Sequence, residues 1–422
     1  MEEIDEKKWK YAHIFFQCVA VASRPLRVDE LAQFLSFNFD TESTPSFQAD
    51  WRPEDPARTV LSTCSSLLAV VKPAGYDSPI VQFAHFSAQE YLMSARLAGS
   101  KDTISRFHVS TTPAHTIVAQ ACLGLLLHLD ETVTTDSLKS FPLAEYAAQY
   151  WVGHAQIEDV SSKVQDGMNR LFHPNKSQFS VWVWIYDPET DRPGRYRVYR
   201  HTRSYCPEEA GATPLHYAAF CGMHDVAKFL IVEHSQDVNA RGFRDKETPL
   251  FTASERGHTD IAQLLLDHGA DIEMRTESTE IGMVPLEVAS AVGHVQVVRL
   301  LLKHGADANA AGEELCGTPV TPLFHALVYG QVGTTRVLLE HGANVNDTSP
   351  NTTWLHIISE RSNRSVGLHD TIDIVRLLVQ YGSDIHARDC EGLTPFMVAA
   401  KTGQDEVMQV LLECGAEDHR KL

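Results

Sequence analysis

The chain has 422 residues, 43% of them hydrophobic and 22% charged, with a formal net charge of −19. That length exceeds a usual single domain, and the composition is that of a folded protein. The acidic balance argues against nucleic-acid or anionic-membrane partners, which reward clustered Lys and Arg.

The charge is unevenly spread. Residues 1–200 hold 19 basic and 24 acidic side chains, and residues 201–422 hold 17 and 31. A partner with a basic surface would therefore associate faster with the second half. Eight cysteines stand at 18, 64, 122, 206, 221, 316, 390 and 414 without a CxxC pair. That usage suits reduced thiols in the cytoplasm or nucleus and gives neither a disulfide framework nor a zinc site. No charged start followed by an apolar run, and no apolar stretch of about 18 residues, points to a secretory signal or a membrane span. The 21 histidines show no i, i+4 pair backed by carboxylates, so no metal and no other cofactor is expected.

Residues 1–10, MEEIDEKKWK, form a charged helical lead-in. Residues 11–100 then read as helix (Tyr11–Ala22), helix (Val28–Phe37, with Asp29 as N-cap), an exposed polar loop, helix (Val60–Leu68), two strands (Leu67–Val71 and Ile80–Ala84) and a helix opened by Ser87 and Glu90 in capping-box spacing. Three helices, a two-stranded wing and a further helix describe a winged-helix-like domain. Its would-be groove helix, VDELAQFL, is acidic, which argues for a protein-facing or intramolecular role rather than DNA binding.

In residues 101–186, Pro113 launches one helix and Pro142 the next, whose Leu143, Tyr146, Ala147, Tyr150 and Trp151 share one face at helical spacing. A shorter helix spans Val164–Phe172. Phe179–Tyr186, FSVWVWIY, reads as a strand or extended cap that shields the exposed end of the repeat stack downstream. Residues 187–210 are polar, with Arg192, Arg195, Arg197, Arg200 and Arg203, and form a linker.

The stretch VQFAHFSAQEYLMSARL, with RPLRVDELAQFL upstream and FPLAEYAAQYWVGHAQ downstream, resembles the winged-helix region and adjoining helices of NACHT-family STAND ATPases, especially fungal-type receptors with C-terminal repeats. The resemblance implies that His85, within the Phe83, His85, Ser87, Glu90, Tyr91 pattern, senses the terminal phosphate of a bound nucleotide. A P-loop needs G-x-x-x-x-G-K-[ST], and no Gly-Lys dipeptide occurs here.

From residue 211 to 422 the chain repeats itself. Thr213-Pro214-Leu215-His216 returns at Thr248, Val284, Thr321, Thr353 and Thr394. Each unit begins with a turn and a Pro-led helix, stops it at glycine (Gly222, Gly257, Gly293, Gly330, Gly403), and adds a second apolar helix ended by Gly269, Gly305, Gly342, Gly382 or Gly415. A period near 33 residues with these signals resembles ankyrin repeats, of which there are about six. The expected fold is mainly α: a winged-helix and helical domain followed by an ankyrin-repeat solenoid.

Binding is expected at the inner-helix exits and hairpin tips of that solenoid, at Phe220, Arg241, Phe243, Arg244, Glu255, Arg256, Arg275, Glu313, Glu314, Tyr329, Arg388 and Lys401, since aromatic residues and arginine make interface anchors. No nucleophile, base and orienting group share a motif, so the expected function is a non-enzymatic scaffold that takes a protein partner on its concave face. A small molecule is not the expected ligand. The alternative, which the resemblance implies, is a ligand-sensing and autoinhibitory portion of a signalling ATPase whose nucleotide-binding domain is not in this chain.

Overall fold

The computed structural model describes residues 9–39, 44–64, 67–73, 78–101, 103–191, 211–243, 245–277, 282–312, 314–315, 318–346, 352–360 and 368–417. Most of the expected linker, with Arg244 and Glu313, lies outside them. The chain divides into two compact units, 1–210 and 211–422.

The first unit opens with α1 (Trp9–Val21), β1 (Leu26–Arg27), α2 (Val28–Gln33), α3 (Pro56–Cys64), β2 (Leu68–Val71), β3 (Ile80–Phe83), α4 (Phe86–Leu92) and α5 (Ala95–Ala98). The strands make an antiparallel sheet in the order β1-β3-β2, with Leu26 opposite Val81 and Leu68 opposite Phe83. Two expected caps are corrected here. Arg27, not Asp29, precedes α2, and its backbone N–H is satisfied by Glu30 Oε2 at 2.7 Å. His85, not Ser87, caps α4, its Nδ1 accepting from the Ser87 N–H at 3.2 Å. A ring nitrogen placed two residues upstream reaches the same orphan donors that a Ser hydroxyl would.

The unit continues with α6 (Thr111–His128), α7 (Thr135–Leu138), α8 (Ala144–Ala155), α9 (Ser161–Leu171) and α10 (Gln178–Ile185). α6 is apolar on every side because neighbours surround it: α1, α8, α9 and α10 all pack against it. The strand expected over Phe179–Tyr186 is instead α10. Its core is built from Trp182, which meets Trp151, Phe172 and Phe179 at ring centroid distances of 5.5, 5.4 and 5.9 Å and donates from Nε1 to the Ala148 carbonyl. A run apolar at every position carries no period, and burial on several sides selects a helix as readily as a strand.

A polar chain runs through this core. The Ser23 backbone N–H donates to the Tyr146 hydroxyl at 3.1 Å, Tyr146 lies 2.9 Å from His154 Nε2, and His154 Nδ1 lies 2.7 Å from His115 Nδ1. The arrangement closes when Tyr146 donates to Nε2 and the His154 Nδ1–H donates to His115, with both rings neutral. Burial, with His115 adding repulsion, pushes His154 down to about 4. A base whose folded value lies below its unfolded value near 6.5 contributes stability that is fully present above 6.5 and is lost as pH falls toward 4. Urea unfolding should therefore show a loss of about 2 kcal/mol between pH 7 and pH 4 that His154→Phe removes; an unchanged pH slope in the variant would refute this origin.

The second unit is six helix pairs: α11 (Pro214–Cys221) with α12 (His224–Val232), α13 (Pro249–Arg256) with α14 (Thr259–Asp267), α15 (Pro285–Val292) with α16 (Val295–Lys303), α17 (Pro322–Val328) with α18 (Val332–Glu340), α19 (Trp354–Glu360) with α20 (Leu368–Gln380), and α21 (Pro395–Thr402) with α22 (Asp405–Glu413). A short hairpin, β4 (Glu314–Leu315) and β5 (Thr318–Pro319), lies before α17. Inner helices pack on inner helices from α11 to α17 and from α19 to α21, and outer on outer throughout, so each pair covers the apolar face that its neighbour cannot cover alone.

Polar side chains join the units where the helices end. Gly222 and Gly293 sit at φ 72° and 94°, and a Cβ on either would run into the His258 ring or the Gln331 side chain of the next repeat. That next side chain in turn reaches the orphan carbonyls of the preceding inner helix, His294 Nε2 at 3.0 Å from the Glu255 oxygen and Gln331 donating to those of Ala291 and Val292. At the turns, His216 and His356 hold the Thr213 and Thr353 N–H groups and bond the next turn at Glu247 and Leu393. His216, His294 and His356 thus join successive repeats. Among the described residues there is no group of three or more His, Cys, Asp or Glu that could hold a metal ion.

Candidate binding surface of the repeat unit

In five of the six inner helices the last turn runs to a residue directly before a glycine, at Cys221, Arg256, Val292, Tyr329 and Thr402; α19 ends without one. Because the glycines stop the helices at one register, these side chains fall in one row across the stack. Cys221 is buried, whereas Val292 is 46% and Tyr329 57% exposed. Arg256 is exposed as well, its guanidinium 4.2 Å above the Phe220 ring. Among the described residues it forms no ion pair. Tyr329 lies parallel to the His325 ring at 6.5 Å, and burial pushes His325 down to about 4. A neutral ring thus backs Tyr329, and the row presents one cation followed by two apolar groups.

Several expected anchors have other work. Phe243 is buried, its ring edge-on to Tyr217 at 5.1 Å and to His216 at 5.6 Å. Phe220 is buried beneath Arg256. Neither is an exposed anchor, because the first inner helix is enclosed by its own hairpin. Phe243 holds φ at 56°, a conformation costly for a bulky side chain and held by this packing.

The tip arginines are likewise structural. Arg241 Nη1 donates to the carbonyls of Lys246 and Arg275, and Arg275 donates to those of Gly282 and Ala311 while pairing with buried Glu287 at 3.2 Å. Successive turns are therefore clipped together. Arg388 closes its own turn on Gly392 at 2.7 Å, and Lys401 pairs with Glu391 at 2.7 Å. Glu255 is half-buried. Arg244 and Glu313 lie outside the described residues, and of Glu314 only the backbone, in β4, is described. The residue missed from sequence was Val292. Its signal was register alone, one step before Gly293, because an isolated valine carries no chemical flag.

In the first unit, His85 lines a cavity of 550 Å³ with Arg24, Leu26, Phe83 and Phe86. Its Nδ1 is engaged in the α4 cap, and Arg24 is already paired with Glu30. No helix among the described residues is long and apolar enough to cross a membrane.

Two-helix units with left-handed glycine stops, joined by turn histidines and stacked into one core, define a repeat solenoid whose class is an interaction module. Comparison with known proteins identifies the repeat. The family model for ankyrin repeats in three copies matches residues 240–312 and 365–421, and that for a single ankyrin repeat matches 210–243 and 320–350. Residues 211–422 are an ankyrin-repeat solenoid.

Among curated proteins, the azaphilone pigments biosynthesis cluster protein L of Monascus ruber is 32% identical over 263 residues, 60% of this chain and 54% of that protein. The chain thus spans about half the length of that relative. Protein phosphatase 1 regulatory subunit 27 of Homo sapiens is 40% identical over 50 residues, 12% of this chain and 32% of that protein. Among solved structures, an ankyrin repeat domain from Acinetobacter baumannii AYE is 29% identical with a TM-score of 0.39, covering 48% of this chain and 98% of that one. The ankyrin repeat domain of Bcl-3 is 30% identical with a TM-score of 0.39, covering 47% and 82%.

Proposed function

We propose that the chain is a non-enzymatic scaffold whose ankyrin unit captures a protein partner on its concave face, along the row Arg256, Val292 and Tyr329. One observation carries this reading: three successive inner helices end in exposed side chains at one register, two of them large and apolar, where the fold itself needs no such groups. Water-exposed tyrosine and arginine are the residue types that dominate interface energetics. The acidic second half favours a partner with a basic surface, through the rate of encounter.

The test is quantitative capture by the full chain compared with Arg256→Ala and Tyr329→Ala. Tyr329 is exposed and Arg256 covers only the Phe220 ring, so stability should move by no more than about 1 kcal/mol, while retention of the principal partner should fall at least about tenfold. Retention unchanged in both variants would place the interface elsewhere.

A second reading, nucleotide sensing through His85, is supported by the position of that residue on a cavity wall. It requires ADP to raise the melting temperature of the chain and His85→Ala to abolish the rise. With Nδ1 in the helix cap and Arg24 neutralised by Glu30, no shift is the expected result, and a His85-dependent rise would reverse that preference.

A further inference from the structure

We propose that the cavity beside His85 is a strand-addition site: it takes an uncharged, extended segment of a partner protein, which lies along the open edge of β3 at Phe83 and sets one apolar side chain against the end of α1. This site is independent of the row in the repeat unit.

The open edge follows from the hydrogen-bond alternation of an antiparallel pair, in which opposite residues exchange either both bonds or none. Leu68 stands opposite Phe83, and the Ala84 N–H donates to the Leu67 carbonyl at 2.8 Å. Ala84 and Gln82 therefore bond toward β2, while Val81 and Phe83 turn their N–H and C=O groups toward β1. Val81 meets Leu26 there, and the Val28 N–H donates to the Pro79 carbonyl one step further along. In the other direction the register calls for Arg24 opposite Phe83, but the chain is held away. The Ser23 N–H donates to the Tyr146 hydroxyl at 3.1 Å, and the Arg24 guanidinium is gripped by Glu30 at 2.6 Å.

Among the described residues the Phe83 N–H and C=O meet no partner. His85 keeps an extended backbone, with φ −146° and ψ 140°, so its N–H falls on the same edge. The edge thus presents donor, acceptor and donor in order. Phe83 is only 8% exposed, and backbone groups so far out of water are nearly always paired.

The space beside this edge is the 550 Å³ cavity, within the roughly 300–1,000 Å³ usual for ligand pockets. Val19, Ala20 and Ala22, at the end of α1, form another of its walls. An anion finds no free guanidinium, because Arg24 is paired with buried Glu30 and His85 Nδ1 is engaged in the α4 cap. A purely apolar ligand would leave the three edge groups unpaired. An extended peptide meets both conditions, because its main chain supplies acceptor, donor and acceptor in the matching order. Its residue opposite Phe83 points to the face on which Phe83 meets Phe16 of α1, at 6.3 Å between ring centroids. The small alanines of that wall favour an apolar side chain there.

The probes are four fluorescein-labelled heptapeptides of Gln and Thr with Val, Leu, Ile or Phe at the centre, titrated against the full chain by anisotropy. At least one should bind, and N-methylation of its central residue, which deletes a main-chain donor and keeps the side chain, should weaken it at least about tenfold. Hydrogen exchange locates the site. At saturation the Phe83 and His85 amides should exchange at least about tenfold more slowly, while that of Ala84, already bonded to Leu67, should not change. Ala22→Phe, which fills the cavity from the α1 side, should abolish binding; the exchange pattern, read on the unsubstituted chain, does not depend on that variant folding.

No binding by any of the four peptides, indifference to N-methylation, or unchanged exchange at Phe83 and His85 would overturn the proposal. Displacement of a bound peptide by ADP, lost in His85→Ala, would also overturn it, since the cavity would then be a nucleotide site.

Discussion

Replacing Glu30 by alanine is expected to lower the stability of the 1–210 unit by about 3–5 kcal/mol. The carboxylate is fully buried and serves three donors. Arg24 grips it with both arms at 2.8 and 2.6 Å, the Arg27 backbone N–H donates at 2.7 Å, and the Arg27 guanidinium lies 3.1 Å away. The Arg24 guanidinium also stacks over Tyr146 at 5.1 Å, and Arg27 reaches the Pro142 carbonyl at 3.0 Å. One side chain on α2 therefore holds two cations that tie α2 to α8. Its removal strands both guanidiniums and an orphan helix donor, which costs more than the pair contributes when intact.

Both arginines keep close to a third of their side-chain surface in water, so partial rehydration sets the result nearer the lower end of that range. The readout is urea unfolding followed by tryptophan fluorescence, which reports this unit because five of the six tryptophans, at 9, 51, 151, 182 and 184, lie in it. Glu30→Gln, which keeps the shape and loses the charge, should cost clearly less. Replacing Arg24 by Met together with Glu30 by Leu should recover only part of the loss, because Arg24 is then no longer stranded while the Arg27 guanidinium and backbone N–H still lack the carboxylate. A loss below about 1 kcal/mol in Glu30→Ala would show that water reaches the site.

How much could be read from sequence depends on how local the cause is. Thr213-Pro214-Leu215-His216 and its returns place cap and first turn, and in five of the six pairs a glycine stop, within ten residues of each other, so those pairs were legible down to their left-handed glycines. Arg275 and Glu287 were not legible as a pair: each looks like a surface charge, and only the stacking of two turns brings them to 3.2 Å. The same holds for Phe243, whose aromatic ring reads as an anchor until the hairpin folds it onto Tyr217. The residues proposed for binding are the hardest to read because the core does not dictate them. Tyr329 was visible by residue type, and Val292 only by register. His85 stood out by resemblance, yet its helix-capping bond is a local geometry that Ser87, the more familiar capping residue, obscured.

The segment that reads as a strand and folds as a helix supplies the second large effect. Trp182→Ala should destabilise the 1–210 unit by about 3–5 kcal/mol. Within α10, Trp182 is the hub of a cluster with Trp151, Phe172 and Phe179, entirely out of water. Its loss leaves a cavity bounded by α6 and α8, and close-packed interiors refill such space only in part. Trp182→Phe separates the two contributions of the side chain. It retains most of the ring packing and deletes the 2.9 Å bond to the Ala148 carbonyl, whose net worth is about 1 kcal/mol. The ordering alanine well below phenylalanine, phenylalanine slightly below tryptophan, read by fluorescence of the remaining tryptophans, is the expected outcome. Equal losses for the two variants would mean that the hydrogen bond, and not the packing, holds α10 in place.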